Sequence, residues 1–327
     1  MRGRLFIRTE ASNAVGMGHF MRCFAIAEAA RRRRIVTHIL IDHVGHAVRR
    51  RCEPISASVD AVLPFGDDIA GLASLLLPDD WLVIDSYKAT ADYVAALHKI
   101  ARVAVVDDLD ALERYDCDLI INPALSAPRE SYAAKSDARL LLGAGYALIR
   151  REFLKPGAPQ SPGPAVGVMF GGSDPRRLTG GCAAMLRAAL PDVRLKIIAG
   201  PAHIHTDALR AQAAADPLME LHVDPPSVAG VLAGCDLVLT AAGGSVGEMA
   251  AMGLAALVLV LYDNQKAALE QCPFPVIDAR KDLPADLGLR AKALMDDPAE
   301  RTRIAKAAHK IVDGKGAERV VEAMFDA

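Results

Sequence analysis

Short apolar runs alternate along this chain with longer stretches in which apolar residues recur at helical spacing. Residues 4–7 read as a first strand. Residues 19–33 read as a helix whose apolar side carries Phe20, Cys23, Phe24, Ala27 and Ala30. Residues 35–41, Trp81–Asp85, 103–107 and 119–121 predict four more strands. Residues 165–170, Arg194–Ala199, 236–240 and 255–261 repeat the pattern in the second half. An amphipathic helix over residues 299–325 is expected to close the chain and fold back across the first half. Strands alternating with helices argue for an α/β fold, in which parallel sheets are covered on both faces. The pattern restarts after residues 156–164 (PGAPQSPGP), where four prolines and two glycines continue neither a helix nor a central strand. Two doubly wound domains are therefore expected, residues 1–156 and 163–327. Ligands of such sheets sit beyond the carboxyl ends of the strands. The loops after Ile7, Ile84 and Val106 are accordingly where chemistry is sought.

Composition narrows the picture. The chain has 327 residues, 52% of them hydrophobic and 24% charged, which suits two packed domains. Lys plus Arg number 38 against 40 for Asp plus Glu, so there is no bulk drive toward nucleic acid or an anionic membrane. Arg31 to Arg34 form the one basic block, read as the solvated end of a helix. The longest apolar run, residues 254–262, is too short to span a bilayer, and residues 1–6 lack a signal-peptide core. None of the six cysteines stands in a C-x-x-C pair, and they read as small reduced core residues. A cytoplasmic enzyme is the expectation. Its oligomeric state is left open.

Five short segments carry candidate chemistry. Gly16 and Gly18 lie at a strand-to-helix turn, where backbone can approach an anion. His19 follows in the first helical turn, whose positive end favours the neutral ring that a general base needs. The alternative is that His19 merely caps the turn. Gly243, Gly244 and Ser245 lead from a strand into a helix and form a candidate diphosphate cradle, with Glu248 placed to accept ribose hydroxyls or to serve as an ordinary first-turn acid. Gly171, Gly172 and Ser173 form a second small-residue loop, with Asp174 as N-cap and Pro175 as first helical residue. Asn264 and Gln265, after Tyr262 and Asp263, suit contacts to sugar or base, or a plain surface loop. Asp85, Ser86 and Tyr87, with Asp107 and Asp108, stand at two strand ends; two acids suggest metal binding or acid/base work, and a single carboxylate that orients the histidine or a sugar hydroxyl is the more economical reading. His203 and His205 form an H-x-H pair without an evident third ligand, and no metal or cofactor is expected.

Several of these segments, in order, resemble one family. Residues 7–22 (IRTEASNAVGMGHFMR), 84–87 (IDSY), 106–108 (VDD), 118–122 (DLIIN), 145–153 (GYALIRREF), 170–174 (FGGSD) and the pair Asn264-Gln265 are similar to the UDP-sugar hydrolases of pseudaminic acid biosynthesis. That family acts on UDP-2,4-diacetamido-2,4,6-trideoxy-β-L-altropyranose and is grouped with spore-coat polysaccharide proteins. The resemblance implies a GT-B architecture, two Rossmann-like domains facing a cleft, with UDP held mainly by the second. It implies a catalytic role for His19, a ribose-binding role for Glu248, a phosphate loop at Gly243 to Ser245, and cleft positions for Tyr87 and Asn264. Glu10 in place of Asp, the extra glycine at Gly244 and Gly247 before Glu248 depart from the family pattern and bear on which sugar is bound.

The reaction so implied is attack of water on the anomeric carbon, C1–O cleavage with inversion, and loss of UDP. Helix N-termini at Gly18 and at Gly243 to Val246, aided by Arg22, would steady the leaving diphosphate. Other readings are a GT-B glycosyltransferase, a non-catalytic UDP-sugar-binding subunit, and a UDP-sugar 2-epimerase. A transferase needs an acceptor groove, often apolar, and no segment of the first half demands one. An epimerase would want more carboxylates near the substrate.

Overall fold

The computed structural model describes residues 3–11, 17–124, 127–155 and 163–326. In chain order the strands and helices are β1 (Leu5–Thr9), α1 (Gly18–Arg32), β2 (Thr37–Ile41), α2 (His46–Cys52), β3 (Ser58–Ala61), α3 (Ile69–Leu75), β4 (Trp81–Asp85), α4 (Ala91–His98), β5 (Arg102–Val106), β6 (Leu119–Asn122), α5 (Arg129–Lys135) and β7 (Arg139–Leu142). There follow β8 (Ala165–Met169), α6 (Leu178–Ala189), β9 (Arg194–Ala199), α7 (Thr206–Ala214), β10 (Met219–Val223), α8 (Val228–Leu232), β11 (Leu237–Ala241), α9 (Gly244–Met252), β12 (Ala256–Val260), α10 (Ala268–Gln271), β13 (Val276–Asp278), α11 (Leu287–Asp296), α12 (Pro298–Ile311) and α13 (Gly316–Phe325).

The chain divides into two compact units, Met1–Arg150 with Gly314–Ala327, and Arg151–Asp313. In the first, seven strands run in the order β3-β2-β1-β4-β5-β6-β7; in the second, six run β10-β9-β8-β11-β12-β13. Every strand pair is parallel. The order reverses between β1 and β4 in one sheet and between β8 and β11 in the other, the switch points at which doubly wound sheets bind ligands. Strands β1, β4, β8 and β12 are buried at every position, as parallel strands covered on both faces must be.

In α1 the expected apolar side is the buried side: Phe20, Cys23, Phe24, Ala27 and Ala30 all lie in the core beneath the first sheet. The cysteines are unpaired among the described residues, and five of the six are buried. No described helix is long and apolar enough to cross a membrane.

Several boundaries differ from those expected. The crossing between units lies at Arg150–Arg151, upstream of Pro156, because residues 151–153 pack with the second unit: Phe153 is buried, and Glu152 accepts hydrogen bonds from Ser227 Oγ (2.8 Å) and from the backbone N–H of Ala229 (3.2 Å) at the start of α8. Most of the proline-rich segment, residues 156–162, lies outside the described residues. The single closing helix expected over 299–325 is two helices, α12 and α13, split around Gly314, whose φ of +75° interrupts helical backbone. Only α13 returns to the first unit, where it packs on α1. Gly316 permits the approach, since a Cβ there would lie 2.3 Å from the Ala147 carbonyl oxygen. The basic block is not simply solvated: Arg32 reaches Glu318 (2.7 Å) and Arg33 reaches Asp326 (2.5 Å), while Arg31 donates to the carbonyl of Ile55 (2.9 Å).

Candidate active site

The first candidate region grows from one helical face. His19, Arg22 and Cys23 are spaced i, i+3 and i+4 on α1, so their side chains project from the same side of its first turns. That side meets the carboxyl ends of β4 and β5. Asp85, the last residue of β4, is fully buried and gathers four donors. His19 Nδ1 lies 2.7 Å from its Oδ1, Arg22 Nη2 2.6 Å from the same oxygen, and Arg22 Nε 2.6 Å and Cys23 Sγ 3.3 Å from Oδ2. Arg22 also donates through Nη1 to Asp108 Oδ2 (2.7 Å), and Tyr87 donates its hydroxyl to Asp108 Oδ1 (3.0 Å). The Tyr87 ring then meets the imidazole edge-on, with centroids 4.6 Å apart. The five residues close a ring: His19, Asp85, Arg22, Asp108, Tyr87 and back to His19.

Charge follows from this geometry. Burial pushes the Asp85 carboxyl up, but the Arg22 charge and hydrogen bonds, joined by His19, outweigh it and hold Asp85 below the usual carboxylate range. Burial opposes the Arg22 charge, and Asp85 and Asp108 more than restore it. Burial, reinforced by the Asp108 carboxylate, pushes the Tyr87 phenol up to about 12, so it remains a neutral donor. Burial and then Asp85 push the Cys23 thiol well up, which makes it an inert S–H donor rather than a nucleophile. With Asp85 ionised, the imidazole proton belongs on Nδ1 facing it. Nε2 is then the lone-pair nitrogen, and it has no hydrogen-bond partner among the described residues. Arg22 Nη2 also approaches Nδ1 (3.0 Å) and has a second N–H to offer it, but an unprotonated Nδ1 would set its lone pair against the ionised Asp85 Oδ1 at 2.7 Å, which favours Nδ1 as the donor.

A second charged network flanks the ring. Glu10, just past β1, is buried and paired with Ser86 Oγ and Lys88 Nζ. Arg8, fully buried in β1, joins Asp42 and Asp68 (2.7 Å to the latter) under the Phe65 ring. Asp107 is a loop organiser: its carboxylate accepts from the backbone N–H groups of Leu109 (2.9 Å) and Ala111 (3.0 Å) and from the Tyr115 hydroxyl.

The second unit offers a different surface. Gly243 is the N-cap of α9 and Gly244 its first residue, and a Cβ at either would meet nothing within 4 Å. The backbone at this helix start is thus open on the side a ligand would use. The Ser245 hydroxyl is engaged locally, with Thr240 Oγ1 (2.8 Å) and the Ala241 carbonyl (3.2 Å). Glu248 is the fifth residue of α9, in its second turn rather than the first, because the helix begins at Gly244. After β8, Gly171 holds a φ of +83°, and Gly172 touches Gly200 so closely that a Cβ on Gly200 would lie 2.4 Å from the Gly172 Cα. The loop beside Ser173 is longer than expected: α6 starts at Leu178, so Pro175 is not its first residue. Asp174, with a φ of +43°, caps it from a distance by accepting from the N–H groups of Leu178 (3.0 Å) and Thr179 (2.8 Å) and from the Thr179 hydroxyl (2.6 Å). After β12, Asn264 is exposed, while Gln265 turns back to accept from the Leu261 N–H (2.8 Å).

The structure therefore brings His19, Arg22, Asp85 and Tyr87 together beside Gly18, and sets Gly171 to Ser173 and Gly243 to Ser245 at the switch point of the other sheet. Gly16 lies outside the described residues. Arg22, expected to aid a diphosphate, is committed to two carboxylates. The parts that sequence reasoning missed are Cys23 as a donor to Asp85 and Arg176 as a clamp, with its guanidinium on the carbonyls of Leu261 (2.9 Å), Ala279 (2.7 Å) and Lys281 (2.7 Å). The i+4 spacing of Cys23 from His19 was the available signal. Nothing in the sequence marks Arg176.

Several solved structures share the fold of this chain. MurG of Acinetobacter baumannii matches with a TM-score of 0.65 over 99% of this chain and 100% of that one, at 14% identity. The fold is GT-B. The GT-B proteins that match also include the pneumococcal O-GlcNAc transferase GtfA in complex with UDP and GlcNAc (TM-score 0.65, 11% identity, 99% of both chains) and Anabaena HepE in complex with UDP and glucose (0.63, 13%, 99% and 100%). Among curated sequences, the spore coat polysaccharide biosynthesis protein SpsG of Bacillus subtilis is 27% identical over 224 residues, 64% of this chain. Protein MJ1062 of Methanocaldococcus jannaschii is 20% identical over 80% of the chain. The chain spans 56% of the length of each of these two relatives. No family model matches it.

Proposed function

We propose that this GT-B chain is a UDP-sugar hydrolase of polysaccharide biosynthesis, and that the glycosyl group it releases is a diacetamido-trideoxyhexose, as its resemblance to that hydrolase family suggests. The observation that carries the reading is the pair His19–Asp85 (2.7 Å) at the switch point of the first sheet, with Asp85 ionised and fully buried. Asp85 holds the Nδ1 proton and so directs the Nε2 lone pair outward. A water at Nε2 gives up its proton there as its oxygen attacks C1, and Asp85 steadies the imidazolium that forms. The C1–O electron pair leaves with UDP, and attack opposite the leaving group inverts C1. UDP is a good leaving group at neutral pH, so one base suffices and no paired acid is required.

In this reading the diphosphate rests on the open helix start at Gly243 and Gly244 and on the Gly171 to Ser173 loop, with the ribose at Glu248 and the sugar or base near Asn264 and Gln265. SpsG, a spore coat polysaccharide biosynthesis protein, supports the polysaccharide setting, and the UDP complexes of HepE and GtfA support a UDP-linked substrate. The test is a panel of UDP-sugars incubated with the purified chain in ¹⁸O-labelled water without acceptor. Free sugar carrying the label at C1, with unlabelled UDP, is the expected result. Label in the phosphate, or no release from any UDP-sugar, would sink the assignment.

A further inference from the structure

A pocket of about 350 Å³ opens in the first unit between the segment after β4 and the loop after β5. Ala89, Ala91, Val105, Val106, Ala111 and Leu112 form its apolar wall. Its polar side chains are all spoken for. Ser86 bonds to Glu10 and accepts from the Lys88 N–H (2.9 Å); Tyr87 donates to Asp108; Thr90 caps α4 by accepting from the Tyr93 N–H (3.1 Å). Asp107 is filled by Leu109, Ala111 and Tyr115, and Glu113 faces Arg114 (3.1 Å). A sugar hydroxyl would find few open partners there, whereas an alkyl group would lose only its contact with water. Tyr87 is shared: it lines the pocket, and its ring stands edge-on to the His19 imidazole. The pocket therefore begins one aromatic ring away from the base.

We propose that this pocket seats the alkyl part of an acceptor alcohol, and that the chain transfers its glycosyl group to such alcohols in competition with water. The proposal rests on the hydrolase reading, since it uses the same base and the same leaving group. With the chain of the alcohol in the pocket, its hydroxyl reaches past Tyr87 to Nε2. The hydroxyl proton passes to Nε2, the alcohol oxygen bonds to C1, and the C1–O bond to the diphosphate breaks with its electron pair leaving on UDP. The products are an alkyl glycoside of inverted anomeric configuration and UDP. An apolar acceptor groove was the feature that the sequence failed to announce, because its walls come from two segments, residues 86–91 and 105–113, that only the β4-α4-β5 unit brings face to face.

The test adds 1-butanol, 1-hexanol or glycerol at equal concentration to the full chain with the UDP-sugar panel, and reads glycoside, free sugar and UDP by NMR and mass spectrometry. Glycoside is expected beside free sugar, rising about fourfold for each methylene the pocket seats, with hexanol well ahead of glycerol. Ala111→Phe, at an exposed position on the wall, fills the pocket and is expected to cut glycoside about tenfold while free-sugar release holds. Leu112→Ser, which makes the wall polar without filling it, should lower the preference for hexanol over glycerol. Free sugar alone in every mixture overturns the transfer and leaves the hydrolase standing. Equal yields from hexanol and glycerol overturn the pocket's role. Absence of UDP release in every mixture, water included, removes the base assignment and the transfer together.

Discussion

At the carboxyl end of the first sheet, β1, β4 and β5 gather His19, Arg22, Glu10, Asp85, Asp107 and Asp108 into paired side-chain networks. At the corresponding end of the second, β8 and β11 present glycines, a locally bonded serine and the start of a helix. The winding is the same, and the switch point falls after the first strand of each unit. What differs is where the polar chemistry comes from. The first unit uses titratable side chains that hold one another in place, which suits moving a proton. The second uses backbone N–H groups with little side chain around them, which suits a ligand that brings its own charge. In the proposed reading, two copies of one architecture divide binding from acid–base work by loop composition alone.

That contrast predicts opposite responses to substitution. The largest effect is expected from His19→Ala, which should lower kcat by about 10²- to 10⁴-fold while UDP affinity, measured by calorimetry, stays within a few-fold. Full turnover in that variant would break the division of labour. Next is Asp85→Ala, which leaves the part-buried Arg22 guanidinium with Asp108 alone and should cost about 1.5–3 kcal/mol of stability in urea unfolding. The sign of its pH dependence is fixed. Asp85 is held below its unfolded range, so its contribution is complete above about pH 4, where an unfolded aspartate is ionised, and fades as acid approaches the lower folded value. The stability gap between wild type and variant should therefore narrow below pH 4 and stay level above it.

In the second unit the expectation reverses. Gly244→Ala meets nothing within 4 Å and replaces glycine in a helix, so it should raise stability by about 0.5–1 kcal/mol. The same methyl intrudes on the open helix start and should weaken UDP binding by about tenfold. A variant both less stable and fully able to bind UDP would contradict the backbone cradle. The smallest effect belongs to Tyr87→Phe. It loses one hydrogen bond at a half-exposed site, worth about 0.5–1 kcal/mol at most, and keeps the ring against His19. The wild-type phenol is pushed up to about 12, so the two proteins should show parallel rate profiles up to about pH 10.

How much of this was legible in the chain depends on burial. The nine interior strands of the two sheets stand in the sequence as compact apolar runs, and each was read within a residue or two. The four that escaped are β3, β7, β10 and β13, which are the four sheet edges. SVDA in β3 has no buried position, and β10 and β13 each have one. An edge strand has one paired neighbour and no full cover, so its side chains need not be apolar, and its place is set by the strand beside it.

The candidate residues followed the same rule. Strand ends followed by small or acidic residues marked His19, Asp85, Tyr87 and Gly243 as candidates by position alone, since a strand and the helix after it are contiguous in sequence. Their partnerships were not visible. That Arg22 spends itself on Asp85 and Asp108, that Asp174 caps a helix four residues away, that α13 returns to the first unit, and that two loops wall an apolar pocket beside Tyr87 are all long-range or conformational facts. By itself the sequence determined which segments must be buried, and hence the fold and the ends at which chemistry gathers, because burial is written in local composition. Only the tertiary structure decided which charges meet, because a hydrogen bond between residues 22 and 108 leaves no local trace in either.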